Sequence, residues 1–116
     1  MDILAGEFGG RRIKTVSKLP YRPTKSRVRK SIFDSLMPFR FSMVLDLFSG
    51  SGILGFEAVS RGAQSVTFVE KHGPTLHLIK QNAAGLVGPS YTFKHCGAVS
   101  FLRHSGSFDL IFADPP

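Results

Sequence analysis

Along the chain the apolar positions change period near residue 40. Residues 2–20 carry short β-like runs on either side of "GEFGGRR", with Gly9-Gly10 placed to turn a hairpin. The next stretch, "LPYRPTKSRVRKSIFDSLMPF", takes up a helical period. Pro23 biases Arg22 toward extended backbone, Thr24 or Ser26 offers an N-terminal cap, and Val28, Ile32, Phe33 and Leu36 fall at helical spacing. The spacing predicts a helix to about Leu36, with Arg27, Arg29 and Lys30 turned outward.

From residue 41 strand and helix patterns alternate. "MVLDLF" is an apolar run broken by one acid, as in a strand buried on both faces. "ILGFEAVSRGA" reads as a short helix closed by Gly62, "SVTFVE" as a second strand, and "PTLHLIKQNAAGL" as a helix begun by Pro74. "YTFKHC", "AVSFLRHS" and "FDLIFADPP" then supply a third strand, a third short helix and a fourth strand. Such alternation predicts an α/β domain with a parallel sheet. No internal repeat or low-complexity tract interrupts it.

Charge divides the chain at the same place. Residues 1–40 hold ten Lys and Arg against Asp2, Glu7 and Asp34, while residues 41–116 hold five of each sign, so the whole net charge of +7 sits in the first third. A charge excess confined to one segment points to a polyanionic partner, most readily a nucleic acid. Two units follow: a basic segment, 1–40, built of hairpin and helix and facing that partner, and an α/β unit, 41–116. Eleven Phe give the chain enough apolar bulk for a core, and a single cysteine excludes a disulfide framework. Without a membrane span or signal-peptide layout, the expected setting is the cytoplasm. His72, His77, His95 and His104 lack paired ligand spacing, so no metal is expected; Cys96, on the third strand, reads as core.

The candidate chemistry gathers at the strand ends. "DLFSGSGILG" sets Asp46 at the end of the first strand and Gly50, Gly52 and Gly55 in the turn that opens the next helix. Glycines there let a ligand approach the backbone, and Glu70, closing the neighbouring strand, is placed to bind the hydroxyls of a ribose. Gly50-x-Gly52-x-x-Gly55 also fits a dinucleotide fingerprint, so the loop alone does not choose the cofactor. Asp114-Pro115-Pro116, ending the fourth strand beside that loop, favours methyl transfer to an exocyclic amine. The lone pair of such an amine is delocalised into its ring. A carboxylate and a backbone carbonyl that accept its two N–H bonds favour the pyramidal, nucleophilic form, and proline fixes the carbonyl direction.

On "ILAGEFGGRRIKT", "RPTKSRVRKSIFDSL", "VLDLFSGSGILGFEAVSRGA", "VTFVEK" and "FDLIFADPP", the chain resembles the bacterial 16S rRNA (guanine-N2)-methyltransferase family over essentially its whole length. The resemblance implies a Rossmann-like methyltransferase fold with strand order 3-2-1-4 and S-adenosylmethionine as cofactor. The cofactor would be bordered by Asp46, Phe48, Gly50, Ser51, Gly52, Glu70, Lys71, Gly97 and Ala98, with Asp114 and Pro115 holding the target amine. Arg11, Arg12, Lys14, Arg22, Thr24, Arg27, Arg29 and Lys30 would meet 16S rRNA, within the assembling 30S subunit.

Two departures from the family pattern shape the expectations. Gly97 stands where the family carries an acid against the adenine amine, a loss worth on the order of 1 kcal/mol of cofactor binding. The family also continues past Asp-Pro-Pro with an aromatic residue and further strands. The expectation is therefore a truncated sheet, its fourth strand an exposed edge carrying Leu110, Ile111 and Phe112. Such a chain would be weak or inactive alone and a monomer at full length. A non-catalytic RNA-binding remnant and an amino-methyltransferase of DNA are the alternative functions.

Overall fold

Val44, Leu45 and Asp46 are buried in succession, which a strand achieves only when both faces are covered. In the computed structural model, which describes residues 1–16, 24–104 and 106–115, they belong to β1 (Met43–Asp46). β1 pairs in parallel with β2 (Ser65–Val69) on one side and β4 (Leu110–Phe112) on the other, and β3 (Ser90–Lys94) extends the sheet beyond β2. The order is β3-β2-β1-β4, as the family resemblance implies. Asp46 is in register with both Phe68 and Phe112, so the C-terminal ends of three strands stand level.

Side-chain alternation sends successive residues to opposite faces. On one face Val44, Val66, Phe68 and Phe112 pack against α1 (Ser26–Ser35), α2 (Ile53–Ser60) and α3 (Gly73–Ala84) through Phe33, Phe56, Leu76 and Ile79. On the other, Leu45, Leu47 and Val69 meet the short α4 (Ala98–Leu102) through Ala98 and Phe101. α2 lies close to the sheet: a Cβ on Gly55 would stand 2.5 Å from the Phe68 ring. The third glycine of the loop motif is thus required for helix–sheet packing. α2 ends as expected, with Arg61 as cap and Gly62 following at φ +121°.

The described parts of the N-terminal segment depart from their expected form in three ways. No two-residue hairpin forms at Gly9-Gly10. Instead residues 3–11 make a wider loop, with Gly6 and Gly10 at φ +84° and +85° and a single antiparallel bridge between Asp2 and Arg12. The loop is anchored through Ile3, Phe8 and Ile13, which join the same core cluster as the sheet. The second departure is Arg29, expected to face outward but only 1% exposed. Val28, assigned inward by the apolar pattern, is 47% exposed instead. The helix is rotated because Arg29 has a buried partner that apolar periodicity does not register. Thr24 and Ser26 do not cap it; Lys25 occupies the N-cap with no side-chain bond.

That partner is Glu57 on α2, which is fully buried. Its carboxylate accepts the N–H groups of Leu4 (2.8 Å) and Ala5 (3.2 Å), the Arg61 Nε–H (2.9 Å) and the Arg29 Nη1–H (3.4 Å). Arg29 also donates to the Asp2 carbonyl at 2.9 Å and the Ser26 hydroxyl at 3.2 Å. A buried carboxylate is tolerated only when its lone pairs are filled in this way. The expected extended backbone at Arg22 lies outside the described residues.

Arg29→Met should lower the unfolding free energy toward the lower end of about 3–5 kcal/mol, since Arg61 still pairs with Glu57. Arg27→Met, on the exposed side of α1, should change it by no more than about 0.5 kcal/mol. Urea denaturation of the two variants checks this; equal effects would place Arg29 outside the core.

Candidate functional site

The β1–α2 turn is built across the ends of three strands. The Leu47 N–H donates to the Phe112 carbonyl at 2.9 Å, carrying the β1–β4 pairing one residue further. The Ser49 N–H donates to the Val69 carbonyl at 3.1 Å, and its hydroxyl donates to the Asp46 carbonyl at 2.7 Å. Beyond Ser49 the chain turns through Gly50 (φ +52°) and Gly52 (φ +81°), a path suited to glycine. Over this turn opens a cleft of about 1300 Å³, lined by residues 47–51, 70–72 and 96–100 together with Thr24, Asp114 and Pro115.

Glu70 is the hinge of the cleft floor. One carboxylate oxygen accepts the Gly50 N–H at 3.1 Å and the other accepts the His72 N–H at 2.8 Å. Each oxygen keeps a second lone pair for a ligand hydroxyl. The same contact has a negative consequence. The Gly50 amide, which a pyrophosphate would need, is already taken by a carboxylate, and Asp114 stands at the same cleft. This arrangement favours a ligand carrying a diol and positive charge over a dinucleotide phosphate.

Asp114 lies just past β4. Its Oδ2 accepts the Thr24 hydroxyl at 3.0 Å, joining the chain that leads into α1 to the end of the sheet. The contact spends one carboxylate oxygen on Thr24 and leaves the other available.

Phe48, Gly50, Ser51, Glu70, Lys71, Gly97, Ala98, Asp114 and Pro115 line the cleft. Asp46 and Gly52 lie beneath it. Asp46 is 2% exposed with Oδ2 accepting the Gly55 N–H, and a Cβ on Gly52 would stand 2.9 Å from Phe56. These two residues shape the turn from below and do not border the cleft. Of the basic set, Arg11, Arg12 and Lys14 gather at the far end of α3, Arg27 and Lys30 are exposed on α1, and Arg29 is buried. Arg22 lies outside the described residues.

Sequence reading missed His72 as a lining residue of the cleft, and Cys96, read as core, packs against the Leu45, Leu47 and Val69 cluster and also lines the cleft. His72 caps α3, its Nδ1 accepting the Thr75 N–H at 3.3 Å. The signal was its place directly before Gly73-Pro74, a helix start. Cys96 lies past β3 and is half-buried, with one side to the cleft. No group of three or more His, Cys, Asp or Glu among the described residues could hold a metal ion.

The buried Asp46 is the electrostatic centre under the turn. Burial raises its pKa from 3.8 to about 8, the Gly55 hydrogen bond opposes this, and the charges of Asp114 and Glu70 raise it further. The proton is retained because water cannot reach the carboxylate and two acids stand near it.

The chain matches the model of the family described as Conserved hypothetical protein 95 over residues 1–116. The ribosomal RNA small subunit methyltransferase D of Haemophilus influenzae is 38% identical over 98% of this chain and 62% of its own length. The solved yhhF protein of Escherichia coli superposes with a TM-score of 0.88 at 33% identity, covering 100% of this chain and 64% of that one. A SAM-dependent methyltransferase from Agrobacterium tumefaciens superposes at 0.59 with 27% identity, covering 78% of this chain and 30% of that one. The chain thus spans about three fifths of the length of the curated relatives it matches, 62% and 59% for two of them. The resemblance drawn from the motifs is borne out across that span, and the fold is the α/β, Rossmann-like methyltransferase fold.

The Asp46 proton has a thermodynamic signature. Between pH 4 and about pH 8 the native chain holds a proton that the unfolded chain has released, so stability falls as pH rises through that window. The limiting slope is about 1.4 kcal/mol per pH unit. Asp46→Asn should remove this component, and the difference between the two stability–pH profiles should grow steadily up to about pH 8. Parallel profiles would show that Asp46 is ionised in the native state.

Proposed function

The chain belongs to the Conserved hypothetical protein 95 family, and on that premise we propose that it takes part in methyl transfer from S-adenosylmethionine to the N2 amine of a guanine in 16S rRNA. The observation that carries this reading is the shared cleft: Glu70, poised for a ribose, and Asp114, held by Thr24, open on the same space at the end of one sheet.

The residues present fit the cofactor. Glu70 has lone pairs for the ribose hydroxyls, Leu47, Val69 and Cys96 give an apolar wall for a purine, and the Gly50 turn admits close approach of the methionine portion. When bound, S-adenosylmethionine supplies an electrophilic methyl group on a cationic sulfur, a charge suited to a cleft with two carboxylates. Gly97 has no heavy atom within 4 Å of its Cβ position, so there is room for a side chain at the place where the family's acid is absent.

The work of the chain is orientation and electrostatics. The free oxygen of Asp114 accepts one N–H of the guanine amine, and a carbonyl of the Asp-Pro-Pro turn accepts the other. Both bonds draw the nitrogen toward pyramidal geometry and release its lone pair from the ring. Thr24 fixes the carboxylate rotamer, so Asp114 meets the amine without searching. The amine proton lost on methylation passes to solvent through the open cleft. Small-subunit rRNA is the acceptor in this reading because the relatives carry that name and the basic excess lies in residues 1–40. The setting is the cytoplasm, on the assembling 30S subunit.

Titration with S-adenosylmethionine and transfer of labelled methyl to 16S rRNA, to assembled small subunits and to duplex DNA test this. Asp114→Ala should lower transfer by about 100-fold or more with cofactor affinity nearly unchanged. Glu70→Gln should weaken cofactor binding by about tenfold or more. Gly97→Asp should tighten it by about fivefold, the equivalent of about 1 kcal/mol. Preferential methylation of duplex DNA would move the function to DNA; RNA binding without cofactor binding would leave an RNA-binding remnant.

A further inference from the structure

A second concavity, of about 520 Å³, lies at the C-terminal end of α3, away from the cleft. Arg11, Arg12 and Lys14 line one wall, and Gln81, Asn82 and Gly85 the other. The twelve residues of α3, at about 1.5 Å each, separate this groove from His72 at the cleft by roughly 18 Å.

The three cations stand on a fixed frame. The Lys14 N–H donates to Asn82 Oδ1 at 3.0 Å and Asn82 Nδ2 donates back to the Lys14 carbonyl at 3.0 Å, so the Lys14 backbone is clamped to α3. Arg11 Nη1 donates to the Gly85 carbonyl at 3.0 Å, and its guanidinium lies 5.9 Å from the Phe8 ring centroid. That bond covers a carbonyl at the negative end of the helix, which would otherwise repel an anion. The opposing acid is Asp2, paired to Arg12 at 3.4 Å with both side chains mostly in water. Such a pair is weak and readily exchanged for a phosphate. α3 itself carries no acidic residue.

We propose that this groove is a second RNA-contact site, which grips a backbone phosphate of the rRNA strand at the end of α3 remote from the reacting amine. The inference rests on the RNA reading of the preceding section and adds to it a place and a span. Guanidinium groups recognise phosphate oxygens through paired N–H bonds, and neutralising phosphates releases counterions. An RNA held at both ends of α3 must reach across roughly 18 Å, so flanking nucleotides bind even though the reaction needs one base.

The test is fluorescence anisotropy with the 116-residue chain, a labelled 16S-derived hairpin, and an oligonucleotide too short to reach from cleft to groove. Arg12→Ala with Lys14→Ala spares the backbone clamp and the Arg11 bond. It should weaken hairpin binding about tenfold at low salt and flatten the slope of log K against log salt by about one to two units. Affinities for S-adenosylmethionine and for the short oligonucleotide should be unchanged. A matched removal elsewhere, Lys94→Ala with Arg103→Ala, should leave hairpin binding near wild type. Unchanged hairpin affinity in the groove variant, or equal loss in the matched variant, would overturn the groove while leaving the RNA reading intact. Loss of inorganic phosphate binding with RNA affinity retained would also overturn it, marking a small-anion site. Failure of the wild-type chain to bind any RNA would overturn the RNA reading itself.

Discussion

A fully buried carboxylate needs donors on every side, and Glu57 obtains them from three parts of the chain. Leu4 and Ala5 bring in the N-terminal loop, Arg29 brings in α1, and Arg61 closes the network from α2 itself. Much follows from this one group. Arg29 points inward from α1, and Thr24, ahead of that helix, reaches Asp114 across the sheet end. With the loop fixed through Leu4 and Ala5, Arg11 to Lys14 run along the last turn of α3. Residues 1–16 and α1, described parts of the basic segment, are therefore anchored in the core.

Electrostatics at the strand ends runs the other way, with acids and few cations. Asp46, Glu70 and Asp114 lie close enough for the latter two to raise the pKa of the first, after burial has done most of the work. Asp46 relieves the crowding by keeping its proton. Glu70 and Asp114 keep their own carboxylates engaged with backbone N–H groups and a hydroxyl. The outcome is a cleft bordered by two carboxylates, while Arg11, Arg12, Lys14, Arg27 and Lys30 stand on surfaces away from it. Division of charge along the sequence becomes division of labour in space.

The strands and most of the site were legible because their signals are local. The apolar runs follow from backbone periodicity and the glycine turn and Glu70 from their places at strand ends, while the order β3-β2-β1-β4 came from the family resemblance and not from the alternation. Arg29 was not legible: its place is set by Glu57, 28 residues away, and a lone Arg beside Arg27 and Lys30 reads as surface. Asp46 and Gly52 were drawn toward the ligand by motif position, whereas turn geometry sinks one and packs the other on Phe56. The Gly9-Gly10 hairpin failed because Gly6 also takes positive φ and backs directly onto Ser60, which widens the loop.

We propose above all that the cleft over Gly50 and Glu70 binds S-adenosylmethionine. Titration of the isotope-labelled chain, followed through its backbone amide resonances, tests it most directly. S-adenosylmethionine should shift the amides of Gly50, Glu70, Gly97 and Ala98 and leave those of Arg11 to Lys14 in place. Shifts confined to the groove residues, or equal shifts with a nicotinamide dinucleotide, would contradict it.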